Sequence, residues 1–292
     1  MDNAWRMLIT PPAGGAWNMA LDETLLEQVG RGDSAPVLRL YGWQPPCLSL
    51  GYAQPFSDVD PSRLAFLGWE VVRRLTGGRA ILHTDELTYA VLLPMDNPLA
   101  AGGVLESYNR LAQALLDALL RLGVPAELKH LDGGGHGSMN PICFETPSTF
   151  EVLVNGKKLV GSAQARRKDA LLQHGSLPLS GDIRRIVQAL VFNDETDRFS
   201  AGQRLAEKAI TMEGAIGACP PWAVVAQAIV DAFSDRFRIS FSSSSLTTSE
   251  LSRAAALVEE KYACASWLMK SQDERSGNNH PFTRKGPVSI RD

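Results

Sequence analysis

The chain has 292 residues, 45% apolar and 21% charged, enough to bury a large core in one or two domains of ordinary globular composition. A net charge of -3 argues against general binding of nucleic acid or anionic membranes, and no apolar run reaches the length of a membrane span. Four scattered cysteines (Cys47, Cys143, Cys219, Cys264) form no Cys-x-x-Cys pair, so neither a zinc site nor a dithiol centre is indicated. The first residues lack the basic-then-apolar order of a signal peptide, and the expected setting is a reducing cytoplasm, with the protein a monomer.

Residues 5–10 read as a strand, broken at Gly14-Gly15. Asn18 to Val29 follows as a helix, with Ala20, Leu21, Leu25 and Val29 inward and Asp22, Glu23 and Glu27 outward. Strands are expected at Val37 to Tyr41 and Cys47 to Gly51, around a Pro45-Pro46 turn, and a short helix starts after Asp60-Pro61. Trp69 to Val72 and 79–83 read as two strands of a hairpin, with another strand at 87–93. Leucines 111, 115, 116, 119 and 122 keep helical spacing within 105–122, and Gly123 ends that helix. A strand at Ala126 to Lys129 leads into a glycine-rich stretch, 132–141, with the composition of a mobile loop. Asn155-Gly156 between Thr149 to Val154 and Lys158 to Ala163 is a hairpin signal. Leu171 to Leu177 adds a strand, and Ile183 to Leu190 a short helix. Residues 192–221 read as irregular apart from Met212 to Ile216; a helix at Trp222 to Phe233, a strand at 237–241, a Ser242 to Ser245 joint and a helix from Ser249 to Lys270 follow. The tail from Ser271 has a disordered composition. The expected domains are 1–241, a helical extension over 242–270 and the tail 271–292. Clustered hairpins without strict βαβ alternation predict an α+β fold with a mixed, largely antiparallel central sheet flanked by helices.

The chemistry concentrates in Arg73-Arg74-Leu75-Thr76-Gly77-Gly78-Arg79-Ala80-Ile81-Leu82-His83. Two glycines let a ligand approach the main chain, and arginines supply forked donors for oxygen. The spacing alone is equally that of a hairpin with exposed arginines. Cys143 lies in Asn140-Pro141-Ile142-Cys143-Phe144-Glu145-Thr146-Pro147-Ser148. A lone cysteine is ordinarily a small buried hydrophobe, but this one stands between a glycine-rich loop and a strand. Lys157 and Lys158 follow the Asn-Gly turn and, on a regular strand, point to opposite faces.

These segments resemble the biotin/lipoate protein ligase superfamily. The Arg-Arg-x-Thr-Gly-Gly-Arg-Ala-x-x-His run is closest to the octanoyltransferases of its cysteine-nucleophile branch. The resemblance implies an α+β catalytic domain with a ligand across the sheet. It implies an acyltransferase that moves octanoyl from acyl carrier protein to a lysine of a lipoyl-acceptor protein, such as glycine-cleavage H protein or a 2-oxoacid dehydrogenase lipoyl domain. Cys143 is then the acyl-accepting nucleophile, while Cys47, Cys219 and Cys264 are structural. Lys158 in Lys-x-x-Gly-Ser-Ala-Gln is the lysine facing the ligand, able to lower the thiol pKa and donate to the carbonyl. Arg73, Arg74, Gly77, Gly78, Arg79, His83, Gly161, Ser162 and Ala163 bind substrate, and Ile81, Tyr89 and Val160 line the acyl slot. His83 and His174 line the site or are hydrogen-bonded structural histidines. Neither ATP nor metal is expected. Three other readings use the same fold: an ATP-dependent lipoate ligase, an amidotransferase between lipoyl domains, and a binding protein without chemistry. Against the ligase stand Arg79, where ligases carry a third glycine, and the lack of a separate accessory domain.

Overall fold

The computed structural model describes residues 4–130 and 150–270. The first half comprises β1 (Ala4–Ile9), α1 (Gly15–Arg31), β2 (Val37–Tyr41), β3 (Cys47–Leu50), α2 (Pro61–Leu67), β4 (Glu70–Arg73), β5 (Ile81–His83), β6 (Glu86–Pro94), α3 (Val104–Arg121) and β7 (Ala126–His130). The second comprises β8 (Phe150–Val154), β9 (Lys157–Arg166), β10 (Ala170–Pro178), α4 (Glu195–Lys208), α5 (Met212–Ile216), α6 (Trp222–Phe237), β11 (Ser240–Ser243), α7 (Thr248–Leu257) and α8 (Ala265–Leu268).

Eight strands form one sheet in the order β11-β1-β2-β6-β10-β9-β8-β7. Its β1 pairs in parallel with β2 and β11, and its other neighbours are antiparallel. A second, three-stranded sheet has the order β4-β3-β5. The fold is therefore the mixed, largely antiparallel α+β architecture expected. Turn chemistry fixes β8 against β9: Asn155 (φ 51°) and Gly156 (φ 75°) both take the left-handed conformation that a two-residue hairpin of matching twist requires. Leu111, Leu115 and Leu119 of α3, with Val225, Ile229 and Phe233 of α6, pack on one face of the large sheet. Leu21, Leu25 and Val29 of α1 pack on the other, and α7 covers α1 through Ala254 and Leu257. Leu48 and Leu50 of β3 meet Ala201 and Leu205 of α4 in a third apolar cluster.

Four local expectations change. Trp69 to Val72 and 79–83 do not form a hairpin: β4 and β5 lie on opposite sides of β3, parallel and antiparallel to it. Each strand pairs with β3, whose Cys47 packs with Val72 in one apolar cluster and whose Leu48 and Leu50 pack with Ile81 in another. Residues 195–208, read as irregular, form α4. Its composition is polar, and Ala201 and Leu205 supply only a thin apolar stripe, while Asp194 accepts from Asp197 N to start the helix. The strand expected at 237–241 is shifted to Ser240–Ser243, because α6 continues to Phe237. As an edge strand it needs main-chain pairing with β1 more than apolar side chains. The helix expected from Ser249 to Lys270 breaks into α7, a π-helical turn at Val258–Tyr262, and α8. The glycine-rich stretch 132–141, Cys143 and the tail from Ser271 lie outside the described residues. No helix among the described residues is long and apolar enough to cross a membrane.

Candidate active site

A pocket lies between the large sheet and the small one, with Met19 of α1 at its side. The large sheet contributes Thr88, Gly161, Ala163, His174 and Ser176; the small sheet contributes Ser49, Ile81 and His83. Met19 of α1 and the aromatic rings of Tyr41 and Trp43 supply apolar surface. Among the residues expected to bind substrate, Arg74, Gly78, His83, Gly161, Ser162 and Ala163 come together here. Ile81 also lines the pocket, but Tyr89 and Val160 belong to the core on the opposite face. Strand alternation is the reason: the pocket face of β6 carries Thr88, and that of β9 carries Gly161 and Ala163. From the far face, Tyr89 Oη donates to Ser162 Oγ at 2.7 Å.

Neither of the two adjacent arginines is exposed: Arg73 is 0% and Arg74 2% accessible. Arg74 holds the loop after β4 in shape. It donates to Gly77 O and Arg79 O, both at 2.8 Å, and to Ser49 O at 2.9 Å. With its donors turned to these carbonyls, Arg74 shapes the wall that a ligand meets. Arg73 points elsewhere, to carbonyls of Gly51, Tyr52, Gln54, Trp267 and Leu268, and does not line the pocket. Arg79 is half-buried, and Gly77 is exposed at the turn; neither is part of the pocket wall. The loop packs tightly on the end of β3. A Cβ at Gly51 would fall 1.9 Å from Gly78 O, closer than any real contact.

Both histidines are buried with both ring nitrogens engaged. His83 stacks on Trp43 at 4.0 Å, with Nε2 bonded to Ser49 Oγ at 2.8 Å and Nδ1 to Glu86 Oε1 at 2.7 Å. Thr88 and Ser176 also donate to the Glu86 carboxylate, so that carboxylate is fixed from three sides. His174 bonds Thr76 Oγ1 at 2.7 Å through Nε2 and Asp22 Oδ2 at 3.3 Å through Nδ1. Burial holds the His174 pKa below its ordinary value, against the pull of Asp22. Asp22, expected to face outward, is 1% accessible. Arg39 Nη1 lies 2.6 Å from its Oδ1, and Tyr41 donates at 2.9 Å. Burial pushes the Asp22 carboxyl up, but Arg39 and the bond from His174 outweigh it and leave the pKa lowered. The available signal was Arg39: an arginine inside the otherwise apolar strand 37–41 needs a buried anion.

Between β9 and β10 the main chains carry the pocket wall. Gly161 pairs with Ser176, and Ala163 with His174. A Cβ on Gly175 would lie 2.5 Å from Ser162 Oγ and 2.7 Å from Gly161 O, so the glycine permits this close approach. Lys158 is buried, and its Nζ pairs with Glu151 Oε1 at 2.8 Å. On a regular strand Lys158 would share the face of Val160, away from the pocket. A register shift changes this: Val152 pairs with Val160, but Leu153 pairs with Lys158, leaving Leu159 as the additional residue. Leu159 and Val160 consequently enter the same apolar cluster, and Lys158 turns to the face of Glu151, Gly161 and Ala163. Nothing in the sequence marks Glu151, because neither a motif nor a regular alternation pairs it with Lys158.

Of the remaining cysteines, Cys47 is fully buried, and burial, then Glu70 and Glu86, push its thiol pKa well up. Cys219 is exposed and Cys264 partly so; neither packs in a core, unlike the structural role expected of them.

A family model described as the lipoyl protein ligase A/B catalytic domain matches residues 15–234. Octanoyltransferase LipM of Carboxydothermus hydrogenoformans is 38% identical over 267 residues, covering 91% of this chain and 98% of that one. LipM of Moorella thermoacetica is 38% identical over 268 residues, with coverage of 91% and 98%. Among solved structures, a bi-partite lipoate protein ligase from Thermoplasma acidophilum superimposes with a TM-score of 0.76 at 24% identity, over 91% of this chain and 96% of that one. A lipoate-protein ligase A bound with ATP gives 0.75 at 24% identity, over 92% and 99%. The structural likenesses establish the fold, and the sequence relatives establish the branch. The chain belongs to the lipoyl protein ligase A/B catalytic-domain family and, within it, is an acyltransferase of the octanoyltransferase branch.

Proposed function

We propose that the chain takes an octanoyl group from the phosphopantetheine thioester of acyl carrier protein onto Cys143, then passes it to a lysine of a lipoyl-acceptor protein. The acceptor class is that of glycine-cleavage H protein and the lipoyl domains of 2-oxoacid dehydrogenases. The observation that carries this reading is the pocket: a slot with apolar aromatic and methionine surface, whose β9–β10 wall is bare main chain at Gly161 and Gly175. An octanoyl chain offers seven methylene or methyl groups, and at ~0.8 kcal/mol each their burial contributes roughly 5 kcal/mol.

In the first step the Cys143 thiolate attacks the thioester carbonyl carbon. The new carbon–sulfur bond replaces the old one, and the carrier thiolate leaves and takes up a proton. One thioester replaces another, so neither ATP nor a metal is needed. In the second step the neutral ε-amine of the acceptor attacks the octanoyl-enzyme. The bond to Cys143 breaks, the nitrogen gives up a proton and the thiol is restored; conversion of a thioester to an amide drives the reaction. Lys158 supplies a cation that favours the thiolate and donates to the developing oxyanion, held in place by Glu151. Such covalent catalysis gives ping-pong kinetics.

Intact-mass spectrometry of the protein mixed with octanoyl-acyl carrier protein, without ATP, tests the first step. The expected result is a gain of one octanoyl group that hydroxylamine removes and Cys143→Ala abolishes. No adduct, with turnover of free octanoate or lipoate only when ATP is added, would overturn the reading in favour of a ligase.

A further inference from the structure

The C-terminal segment appears in the sequence as an extension beyond the catalytic domain, yet its last described helix is bonded into the arginine motif. Arg73 is the junction. Its Nε and Nη2 donate to Leu268 O at 3.0 and 2.6 Å, and Nε also reaches Trp267 O at 3.1 Å. On the other side Nη1 donates to Gly51 O at 2.9 Å, Tyr52 O at 3.2 Å and Gln54 O at 2.6 Å. One buried guanidinium therefore joins the end of α8 to the turn that follows β3. The link is reciprocal: Trp267 Nε1 donates to Arg73 O at 3.0 Å. Trp267 is itself seated among Tyr52, Tyr262 and the Lys261 ammonium, the last 4.1 Å from its ring centre. Lys261 pairs with Glu23 of α1, which anchors the segment to the domain.

The Gly51–Gln54 turn is also the support of the pocket loop. Tyr52 N donates to Thr76 O at 2.8 Å, and Gly51 lies against Gly78 so closely that no side chain fits between them. Gly78 faces the pocket. A continuous set of bonds thus runs from α8 through Arg73 to the Gly51 turn, and from there to the glycine wall. A helix that served only to cover α1 would have no need of a buried arginine from the motif itself, with every donor directed to main-chain carbonyls.

We infer that α8 is a working part of the acyl site, in which Trp267 and Arg73 are positioning residues that brace the Thr76–Gly78 wall. Neither touches the acyl group. Their effect is to hold the wall in the position that receives it, so substitution weakens use of the octanoyl donor ahead of any loss of the folded domain. The kinetic part of this inference rests on the octanoyl-transfer reading; the structural part does not.

The test compares Trp267→Ala and Trp267→Phe with Arg253→Ala in the full chain. Arg253 pairs with Glu27 and ties α7 to α1 without reaching the Gly51 turn. Amide hydrogen exchange is read at Tyr52 and Thr76–Arg79, and KM and kcat are read with octanoyl-acyl carrier protein. Trp267→Ala is expected to speed exchange at those amides at least tenfold and to raise KM by a similar factor. Trp267→Phe keeps the ring and loses the indole donor, and gives an intermediate shift with the fold intact. Arg253→Ala leaves exchange in the loop unchanged. Wild-type exchange at the loop in both Trp267 variants would overturn the inference, as would an equal rise in all three proteins. If the wild-type protein gives no octanoyl transfer, the reading of function fails, and the exchange data still decide the role of α8.

Discussion

The two walls of the pocket reach the same end by different means. On the β9–β10 side, adjacent strands present Gly161 and Gly175 on an unbroken ladder, and the turn at Asn155-Gly156 lies only a few residues away. On the other side, the Thr76–Gly78 loop has no ladder of its own. It is shaped by Arg74, by the tight fit against Gly51, and by the bond from His174 to Thr76. The first wall is built from main-chain bonds that tolerate changes in side chains except at Gly175, where an added Cβ would meet Gly161 O at 2.7 Å. The second depends on a few buried polar side chains, each with several partners that a substitution would leave unpaired.

The comparison predicts an unequal response. Gly51→Ala should have the largest effect, because the added methyl meets the Gly78 carbonyl and not a side chain that can turn away. Overpacking of this kind costs about 3 kcal/mol, and denaturant titration should show it together with near-complete loss of octanoyl transfer. Arg74→Lys comes next. A lysine cannot serve Ser49 O, Gly77 O and Arg79 O together, and each buried carbonyl left unmet costs on the order of 1–3 kcal/mol. A lowered Tm with a raised KM is the expected pattern.

Acidification should act on the same wall. The folded protein holds His174 below its ordinary pKa of 6.5, so the unfolded chain binds more protons in the interval between the two values. The stability that His174 contributes is complete above pH 6.5 and is lost as pH falls through that value toward the folded pKa. Asp22 has the same sign but acts lower, with its contribution lost below the ordinary carboxyl value of 3.8. Tm measured from pH 7.5 to 5.5 should therefore fall, and His174→Gln should flatten the slope. The smallest effect is expected on the ladder wall: Ser162→Ala removes the partner of Tyr89 but leaves Gln173 to bond the phenol, and should cost about 1 kcal/mol with little change in kcat. A Ser162→Ala defect larger than that of Arg74→Lys would reverse the comparison.

The same division separates what was legible in the sequence from what was not. The β8–β9 hairpin and α3 could be read directly, since a turn dipeptide and a leucine period are local signals. The three-stranded sheet could not: β4 and β5 look like hairpin partners until β3, far back in the chain, is placed between them. Arg73 and Arg74 were visible as functional candidates, but nothing local shows that one serves the pocket loop and the other α8. Helical spacing ranks Asp22 with Glu23 on the outer face, whereas its burial is decided by Arg39 on another element. Long-range pairing of charges leaves no period in the sequence.

The additional residue at Leu159 has a consequence for anyone who counts along this strand. Lys158 and Gly161 are an odd number of positions apart, and on an unbroken pleat odd intervals never look the same way. The shift at Leu159 changes the phase once, between the lysine and the slot, so the two halves of β9 keep opposite parity. A designer who copies the hairpin into another sheet and straightens it will find the slot intact and the ammonium on the outside of the wall.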